Sequence, residues 1–260
     1  KDDWKQIKQK CDEQNIIFLS TPENVSDLQF LIELGIKAIK IGSDDFTNIS
    51  MIKKFLESEL PIIISCGMAD MNEIKETISQ INMKIDYPMV LMITTSQYPT
   101  PNEDVNVLRL QSIRNEFPNI ILGYSDHTEG NLAALLASAL GAKVFEKHFT
   151  LDKNFPGPDH WFSASPSELR EWNESIRKSY IMLGDKEVKP TLNELKNKVM
   201  FRRKLVALKI IEKGEKFSKD SIGMRRTEND SIFLESDKVI GHEASRRINR
   251  GEIIDEKCIE

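Results

Sequence analysis

Two histidines stand where they could hold a metal ion between them. His127 and His148 each follow a short apolar run that predicts a β-strand, and they are 21 residues apart, about the length of one strand and one helix. Consecutive parallel strands end at the same edge of a sheet, so we expect the two imidazoles to lie close together. Two neutral imidazoles with open coordination positions are typical of a catalytic divalent metal site. A lone histidine would more often only bond to the backbone, but this pair favours the metal.

Lysines and hydroxyl groups at the same predicted level indicate a site for an anion. Lys40 and Lys147 lie at or near strand ends, where a buried ammonium group needs an anionic partner such as phosphate or carboxylate. Gly42 and Gly67 would let the backbone approach a ligand closely. Hydroxyl groups follow four of the predicted strands, at Thr21, Ser43, Ser65 and Ser125. Any one of these serines could instead cap the following helix, so the prediction depends on their shared level.

A lysine in such a site also raises an alternative chemistry. Lys40 could attack a carbonyl as an amine of lowered pKa and form a Schiff base, as some aldolases do. The histidine pair argues against this alternative, because a Schiff-base enzyme activates its carbonyl without a Lewis acid.

Carboxylates and two proline-containing loops complete the candidate pocket. Asp45 and Glu146 follow predicted strands and are suited to proton transfer or to binding sugar hydroxyls, although either could pair with a lysine instead. The loops at 98–101 and 155–160 contain prolines, which restrict the backbone and favour stiff pocket walls. His160, in the second loop, fits a surface or supporting role as well as it fits the role of a ligand.

Alternating strands and helices are expected to position these residues. Short β-branched runs predict strands at 16–20, 38–42, 61–65, 89–94, 120–125 and 143–149, with amphipathic helices between them. Parallel strands joined by right-handed crossovers show this alternation. Because polar residues collect after the strands, the pattern favours a TIM (β/α)₈ barrel over a doubly wound sheet. Since six units can be recognised, residues 1–184 are expected to lack the first two units of the barrel.

A smaller β-rich unit is predicted after the barrel. Residues 185–200 are polar, contain Pro190 and lose the alternation, which is typical of a linker. Residues 201–260 carry strand patterns at 204–208 and 238–240 and two glycine-containing turns. Similar phrases at 210–215 and 247–252 indicate a weak pseudo-symmetry within this unit.

Composition restricts the kind of protein and its partners. The 260 residues are 40% hydrophobic, which is enough for one large core and a smaller one. The net charge of −5 arises from interspersed charges of both signs, which argues against nucleic acid as a partner. The few scattered cysteines and the lack of a long apolar run predict a soluble cytoplasmic protein without a membrane segment.

Six motifs follow one another along the chain. They are FLSTP at 18–22, KIGS at 40–43, SCGM at 65–68, YPTP at 98–101, GYSDHT at 123–128 and EKHFT at 146–150. Together they resemble the motifs of the sialic acid synthase family, and residues 201–260 resemble the antifreeze-like (SAF) domain of that family. The resemblance implies a TIM-barrel enzyme that condenses phosphoenolpyruvate with an N-acylated hexosamine, such as N-acetylmannosamine, to a nine-carbon keto acid and phosphate.

The resemblance also implies roles for individual residues. His127 and His148 would ligate Mn²⁺ or Mg²⁺. Asp45 and Glu146 would be the catalytic carboxylates, and Asp45 and Tyr98 would face the sugar. The positions that match the phosphoenolpyruvate site are Thr21, Lys40, Ser43, Ser65, Ser96 and Ser125. The family arrangement further implies a domain-swapped homodimer in which the SAF domain covers the partner's barrel mouth.

Three departures from the family pattern affect these expectations. The chain begins after the family's Glu and Asn motif and a further phosphoenolpyruvate-binding lysine, so as given it is expected to be incomplete for catalysis. Asp45 and Ser96 stand where some members have glutamate and asparagine, so the product can be of the neuraminic, legionaminic or pseudaminic type. The SAF arginine that reaches the partner's sugar pocket aligns best with Asn249, between Arg247 and Arg250, which leaves that contact open.

Two other functions stay open on the sequence alone. A non-catalytic carbohydrate-binding protein would keep the barrel without its first units. A phosphoenolpyruvate-condensing synthase for a phosphorylated aldose would need a further basic pocket, which the sequence does not identify.

Overall fold

Five parallel strands form the sheet of the first unit, Lys1–Gly184. The computed structural model describes residues 1–81, 87–227 and 234–260. The strands are β1 (Ile39–Ile41), β2 (Ile62–Ser65), β3 (Met89–Ile93), β4 (Ile121–Asp126) and β5 (Val144–Lys147). Each strand pairs in parallel with the next along the chain. A doubly wound sheet reverses its strand order at a switch point, so this consecutive order favours a barrel wall.

Helices lie before, between and after the strands, and all of them except the first bury apolar side chains. They are α1 (Asp2–Glu13), α2 (Val25–Leu34), α3 (Ile49–Leu56), α4 (Met71–Ile81), α5 (Arg109–Glu116), α6 (Leu132–Ala139) and α7 (Pro166–Leu183). Local signals set their ends: Ser165 and Glu168 form a capping box at the start of α7, and Gly35 ends α2 with φ 82°. Among the described residues, no helix combines the length and the apolar composition needed to cross a bilayer.

Alternation along the strands decides which side chains enter this core. Ile39, Ile41, Ile62 and Ile64 are buried in the cluster that also contains apolar residues of the helices. Successive strand residues point to opposite faces, so Lys40 faces away from the helices. The residues for chemistry therefore share the face that the helices leave free.

Five of the six predicted strands are present, with ends shifted by two residues or fewer. The prediction at 16–20 is wrong, since the structure pairs this described segment with no strand. A β-branched run forms a strand only where a neighbouring strand accepts its backbone hydrogen bonds. Here the Ile16 N–H donates instead to the Cys11 carbonyl (2.8 Å), and Ile16 and Ile17 are exposed.

The second unit, Asp185–Glu260, has an apolar core of its own. It contains a two-stranded antiparallel sheet of β6 (Arg203–Ala207) and β7 (Ile222–Arg226). The predicted strand at 238–240 is wrong, because a 3₁₀ turn occupies Ser236–Lys238 and buries Val239 in this core.

The segment interpreted as a linker contains a helix that the sequence analysis did not predict. This helix, α8 (Leu192–Phe201), takes up the whole second half of 185–200. Thr191 and Glu194 form a capping box at its start, which satisfies two backbone N–H groups of the first turn.

The two similar phrases of the second unit occupy equivalent places. Ile211 and Ile248 exchange both backbone hydrogen bonds, each 2.9 Å long. The matching turn bonds run from Glu212 N to Glu215 Oε2 (3.1 Å) and from Asn249 N to Glu252 Oε2 (2.9 Å). The repeated phrases are therefore related by a local pseudo-twofold axis through the isoleucine pair.

Candidate active site

A cleft of about 480 Å³ opens at the carboxyl ends of the parallel strands. Its walls are the strand ends and the loops that follow them, on the face free of helices. The lining residues are Lys40, Gly42, Ser43, Asp44, Ser65, Met68, Thr94, Ser96, Tyr98, Ser125, His127, Glu146 and His148. The cleft thus brings together most of the residues that the sequence predicts for binding a metal and an anion.

His127 is buried at the end of β4 with its ring orientation fixed. Its Nδ1–H donates to the Thr95 carbonyl (2.7 Å), which leaves Nε2 as the unprotonated nitrogen of the neutral ring. Ser125 Oγ lies 3.3 Å from Nε2, but its proton goes to Glu146 Oε1 at 2.7 Å. Burial lowers the pKa of His127 below its ordinary value, and the bond to Thr95 opposes that shift. The Nε2 lone pair is therefore available to a ligand in the cleft.

His148 lies beside His127 and contacts a carboxylate. The two ring centroids are 5.2 Å apart with the rings nearly perpendicular. Asp159 Oδ2 lies 3.7 Å from His148 Nδ1, so this carboxylate stands on the side of the ring that Nε2 does not use. The Phe162 ring packs on His148 with centroids 5.1 Å apart. Both imidazoles thus have a supporting group at Nδ1.

A short chain of polar contacts crosses the cleft floor from β1 to β5. Lys40 Nζ donates to Ser65 Oγ (2.9 Å) and lies 3.6 Å from Glu146 Oε2. Glu146 accepts the Ser125 hydroxyl across the β4–β5 pair, where the two residues are directly in register. Burial lowers the pKa of Lys40, and the charge of Glu146 opposes that shift. One ammonium group, two hydroxyls and one carboxylate are therefore joined in a single polar network on the cleft floor.

The turn after β2 brings its backbone against two serines. The Gly67 N–H donates to Ser43 Oγ (3.0 Å). A Cβ at Gly67 would stand 2.4 Å from Ser96 Oγ and 2.8 Å from Ser43 Oγ. Glycine is required at this position because a side chain would have no space. The backbone does not require it, since the φ angle of Gly67 is not positive.

Tyr98 covers the histidine pair from the loop at 98–101. Its ring centroid is 4.3 Å from that of His127 and 5.5 Å from that of His148. The Thr100 N–H donates to the His127 carbonyl (2.9 Å), which ties the loop to β4. Burial raises the pKa of the Tyr98 phenol, and the charges of Asp159, Asp44 and Glu146 add to the shift. The phenol is therefore a neutral hydrogen-bond donor at ordinary pH.

Several residues singled out in the sequence are not part of the cleft lining. Thr21 is exposed in the segment that forms no strand. Asp45 accepts a hydrogen bond from Asn48 Nδ2 (2.9 Å) at the start of α3. His160 Nδ1 pairs with the Thr150 hydroxyl (2.7 Å). The side chains of Asp45 and His160 are thus held by local contacts of their own loops.

Lys147 does not face the cleft, and its anion is a neighbouring aspartate. Its Nζ lies 3.0 Å from Asp126 Oδ2, on the helix side of the sheet. Strand alternation explains the difference, because Glu146 and His148 face the cleft and the residue between them must face away. The prediction that Lys147 meets a bound anion is therefore wrong.

Two carboxylates near the cleft were not singled out by the sequence analysis. Asp44 lines the cleft where Asp45 was predicted, and the missing Cβ of Gly42 leaves the room that its carboxylate occupies. Asp159 stands beside His148 on the loop at 155–160. Their positions in the sequence could have identified these two carboxylates. Asp44 follows directly on Gly42 and Ser43, and Asp159 lies in a loop already expected to form a wall of the pocket.

The candidate residues of the second unit lie on its surface. Arg247 Nε is 3.5 Å from Glu212 Oε1 in an exposed ion pair. Asn249 and Arg250 are exposed.

The two imidazoles fit a metal site in which few ligands come from the protein. In the described part of the chain, no three His, Cys, Asp or Glu side chains are grouped so as to hold a metal ion. A metal held by His127 and His148 alone would keep several positions for water or substrate, as catalytic sites do. The free Nε2 of His127 is the observation that supports such a ligand.

Comparison with known proteins covers nearly the whole chain. The sequence model of the NeuB family matches residues 1–188, and that of the SAF domain matches residues 202–260. The N,N'-diacetyllegionaminic acid synthase of Campylobacter jejuni is 39% identical over 249 residues, which are 95% of this chain and 73% of that protein. The synthase of the same name from Legionella pneumophila is 37% identical, over 91% of this chain and 67% of its own length.

A solved structure shows the same fold. The N-acetylneuraminic acid (sialic acid) synthetase of Leptospira borgpetersenii, solved in complex with citrate, superposes with a TM-score of 0.69 at 32% identity. The match covers 75% of this chain and 67% of that one.

Proposed function

The chain belongs to the NeuB family of nonulosonic acid synthases, and on this premise we propose that it condenses phosphoenolpyruvate with an N-acylated hexosamine. The products are a nine-carbon keto acid and inorganic phosphate. One observation carries the proposal: a single cleft is lined by the His127–His148 pair and by Lys40, Ser65 and Ser125, which we propose as the metal and anion ligands.

The charges in the cleft support a metal as part of the site. The described lining residues include one lysine against the carboxylates of Asp44 and Glu146. Phosphoenolpyruvate carries several negative charges, so its binding calls for more positive charge than Lys40 supplies. A divalent ion, Mn²⁺ or Mg²⁺, held by His127 and His148 would supply that charge and polarise the sugar aldehyde.

The chain's own residues would orient the two substrates. Lys40 is proposed to pair with the phosphoenolpyruvate anion, and its bond to Ser65 leaves the Ser65 hydroxyl proton free to donate to the same ligand. The remaining members of the phosphoenolpyruvate site are proposed to be Ser43, Ser96 and Ser125. Thr21 and Asp45, outside the cleft lining, stay predictions for the phosphoenolpyruvate and sugar sites.

The proposed reaction balances without a further reactant. The methylene carbon of phosphoenolpyruvate forms a bond to the sugar aldehyde carbon, and the aldehyde oxygen takes a proton. Water adds to the adjacent carbon, which becomes a carbonyl as its bond to the phosphate oxygen breaks, and the two protons of that water go to the aldehyde oxygen and to the phosphate. Glu146 is the proposed proton acceptor for the water, because its carboxylate faces the cleft between Lys40 and Ser125. Tyr98, with a neutral phenol, is proposed to donate to a sugar hydroxyl.

The sugar is proposed to carry two N-acetyl groups. The names of two relatives specify an N,N'-diacetyl product, and each is more than a third identical to this chain.

We propose that the enzyme is a cytoplasmic homodimer, with the SAF domain of one subunit over the barrel mouth of the other. The five strands would then belong to an eight-stranded barrel.

The lowered pKa of Lys40 also agrees with the Schiff-base alternative. Borohydride trapping with pyruvate distinguishes the two chemistries, since only a Schiff base would link pyruvate covalently to Lys40.

The proposed function is tested by phosphate release from phosphoenolpyruvate by the full-length protein, in the presence of candidate hexosamines and Mn²⁺. Release is expected with a diacetamido sugar. It should stop on chelation and should fall about 100- to 1,000-fold in His127→Ala and His148→Ala. Glu129→Gln, an exposed charge change near β4, is the control and should keep wild-type activity. No release with any sugar, despite sugar binding, would favour the carbohydrate-binding alternative.

A further inference from the structure

A buried ion pair lies directly behind the two histidines. Asp126 and Lys147 are partners in the β4–β5 register and face the helix side of the sheet. Their side chains are 0% and 6% exposed. His127 and His148 are the next residues on each strand, so each imidazole stands one residue beyond this cross-strand contact.

The Asp126 carboxylate is fully satisfied by donors from three elements. Oδ1 accepts from the Thr128 N–H (3.0 Å) and the Thr128 hydroxyl (2.7 Å), which closes a turn around His127. Oδ2 accepts from Lys147 Nζ (3.0 Å) and from Trp172 Nε1 of α7 (2.8 Å). Lys147 also donates to the carbonyls of Thr128 and Gly130. The backbone on both sides of His127 is thereby tied to β5 and to α7.

A buried ion pair is weak support for stability, because desolvation offsets most of the attraction, but it can enforce one register. A slip of one residue between β4 and β5 would turn one histidine out of the cleft. The Ser125–Glu146 bond joins the same two strands on the cleft face (2.7 Å). The strands are therefore clamped on both faces immediately before the histidines.

We propose that Asp126, Lys147 and Trp172 are positioning residues that set the spacing of His127 and His148 for metal binding. The inference rests on the metal site proposed above. None of the three side chains lines the cleft, so they act only through the backbone of β4 and β5.

The test measures Mn²⁺ affinity without substrates, from the electron paramagnetic resonance signal of free Mn²⁺. The double variant Asp126→Asn/Lys147→Met removes both charges and is expected to raise the Mn²⁺ Kd about 10- to 100-fold. Lys75→Met/Glu116→Gln removes an exposed ion pair of similar length (2.8 Å) and should leave Kd unchanged. Thermal unfolding of each variant is recorded alongside.

A purely structural role would lower the melting temperature without changing the Kd of the folded protein. An unchanged Kd in the folded double variant overturns the inference and leaves the metal site intact. If the double variant does not fold, Trp172→Phe is measured instead, since it removes one donor to Asp126 and keeps the ion pair. A raised Kd in Trp172→Phe supports the inference, and an unchanged Kd overturns it. Lack of any His127-dependent Mn²⁺ binding by the wild-type protein contradicts the proposed function itself, and the inference with it.

Discussion

At the scale of single residues, the cleft contains groups that are unfavourable for folding and that we propose bind the substrates. Lys40 is mostly buried, with 13% of its side chain exposed, and its nearest carboxylate is 3.6 Å away. Burial of an ammonium group disfavours the charged form, as the lowered pKa of Lys40 indicates. This burial is consistent with the proposed role of Lys40 in binding the phosphoenolpyruvate anion.

Lys40→Met is therefore expected to stabilise the fold and to abolish phosphoenolpyruvate binding. The free energy of unfolding should rise by about 1 kcal/mol at pH 7. Because the folded pKa is lowered, the wild-type protein gains stability as pH rises from that pKa toward the ordinary value of 10.5, and the variant lacks this gain. The difference between them should thus shrink toward pH 10, which urea unfolding at both pH values measures.

Lys37→Met, an exposed lysine three residues earlier, serves as the control and should change neither stability nor activity. A Lys40→Met protein that is less stable than wild type at pH 7 would mean that Lys40 contributes to the fold as well as to the ligand site.

The sequence predicted least well which face of the sheet each strand residue points to. The sequence indicated which residues reach the strand ends, including the histidine pair, Lys40 and Glu146. It assigned Lys147 to the same site, although two adjacent strand residues cannot both face the cleft. The pairing of β4 with β5 shows which of these residues face the cleft. This is a long-range contact, which the local sequence pattern does not specify.

At the scale of elements, the turns after the strands adapt the backbone to the ligand site. The turn after β2 is the tightest case, because Gly67 lies against Ser43 and Ser96 with no room for a side chain. Both serines are proposed to bind phosphoenolpyruvate, so the packing of the turn bears directly on that site.

Gly67→Ala is expected to displace the two serines and to raise the KM for phosphoenolpyruvate by about 10- to 100-fold, the effect of misplacing binding groups by about 1 Å. Steady-state kinetics of phosphate release measure this change. Gly223→Ala is the matched control, because its Cβ would meet only the flexible Leu208 side chain at 3.1 Å. An unchanged KM in Gly67→Ala would show that the turn moves freely and does not hold the serines.

Elements with a complete local signal were predicted, and those that depend on distant partners were not. The isoleucine-rich β2 is present close to its predicted ends, and α7 begins at a complete capping box. The run at 16–20 has the same composition as a strand but lacks a pairing partner among the described residues. Helix α8 was missed although Thr191 and Glu194 have capping-box spacing, because its polar surroundings are also typical of a linker.

At the scale of the whole molecule, apolar side chains are exposed along the chain where the two units join. Ile181, Met182, Val188 and Leu192 are 79%, 84%, 103% and 80% exposed. Exposed apolar side chains can be buried in a subunit interface, and these four are our candidates for such a surface. This exposure supports the homodimer proposed for the enzyme.

The protein is accordingly expected to sediment at equilibrium with the mass of two chains. Met182→Glu/Leu192→Glu places two charges among these side chains, where burial of an unpaired charge opposes association, and should shift the protein toward monomer. Ile32→Glu, a half-exposed position on α2, is the matched control and should leave the dimer intact. If the SAF domain of one subunit covers the cleft of the other, phosphate release should fall in parallel with the dimer fraction. A wild-type protein that sediments as a monomer and is fully active would contradict both the dimer and the shared active site.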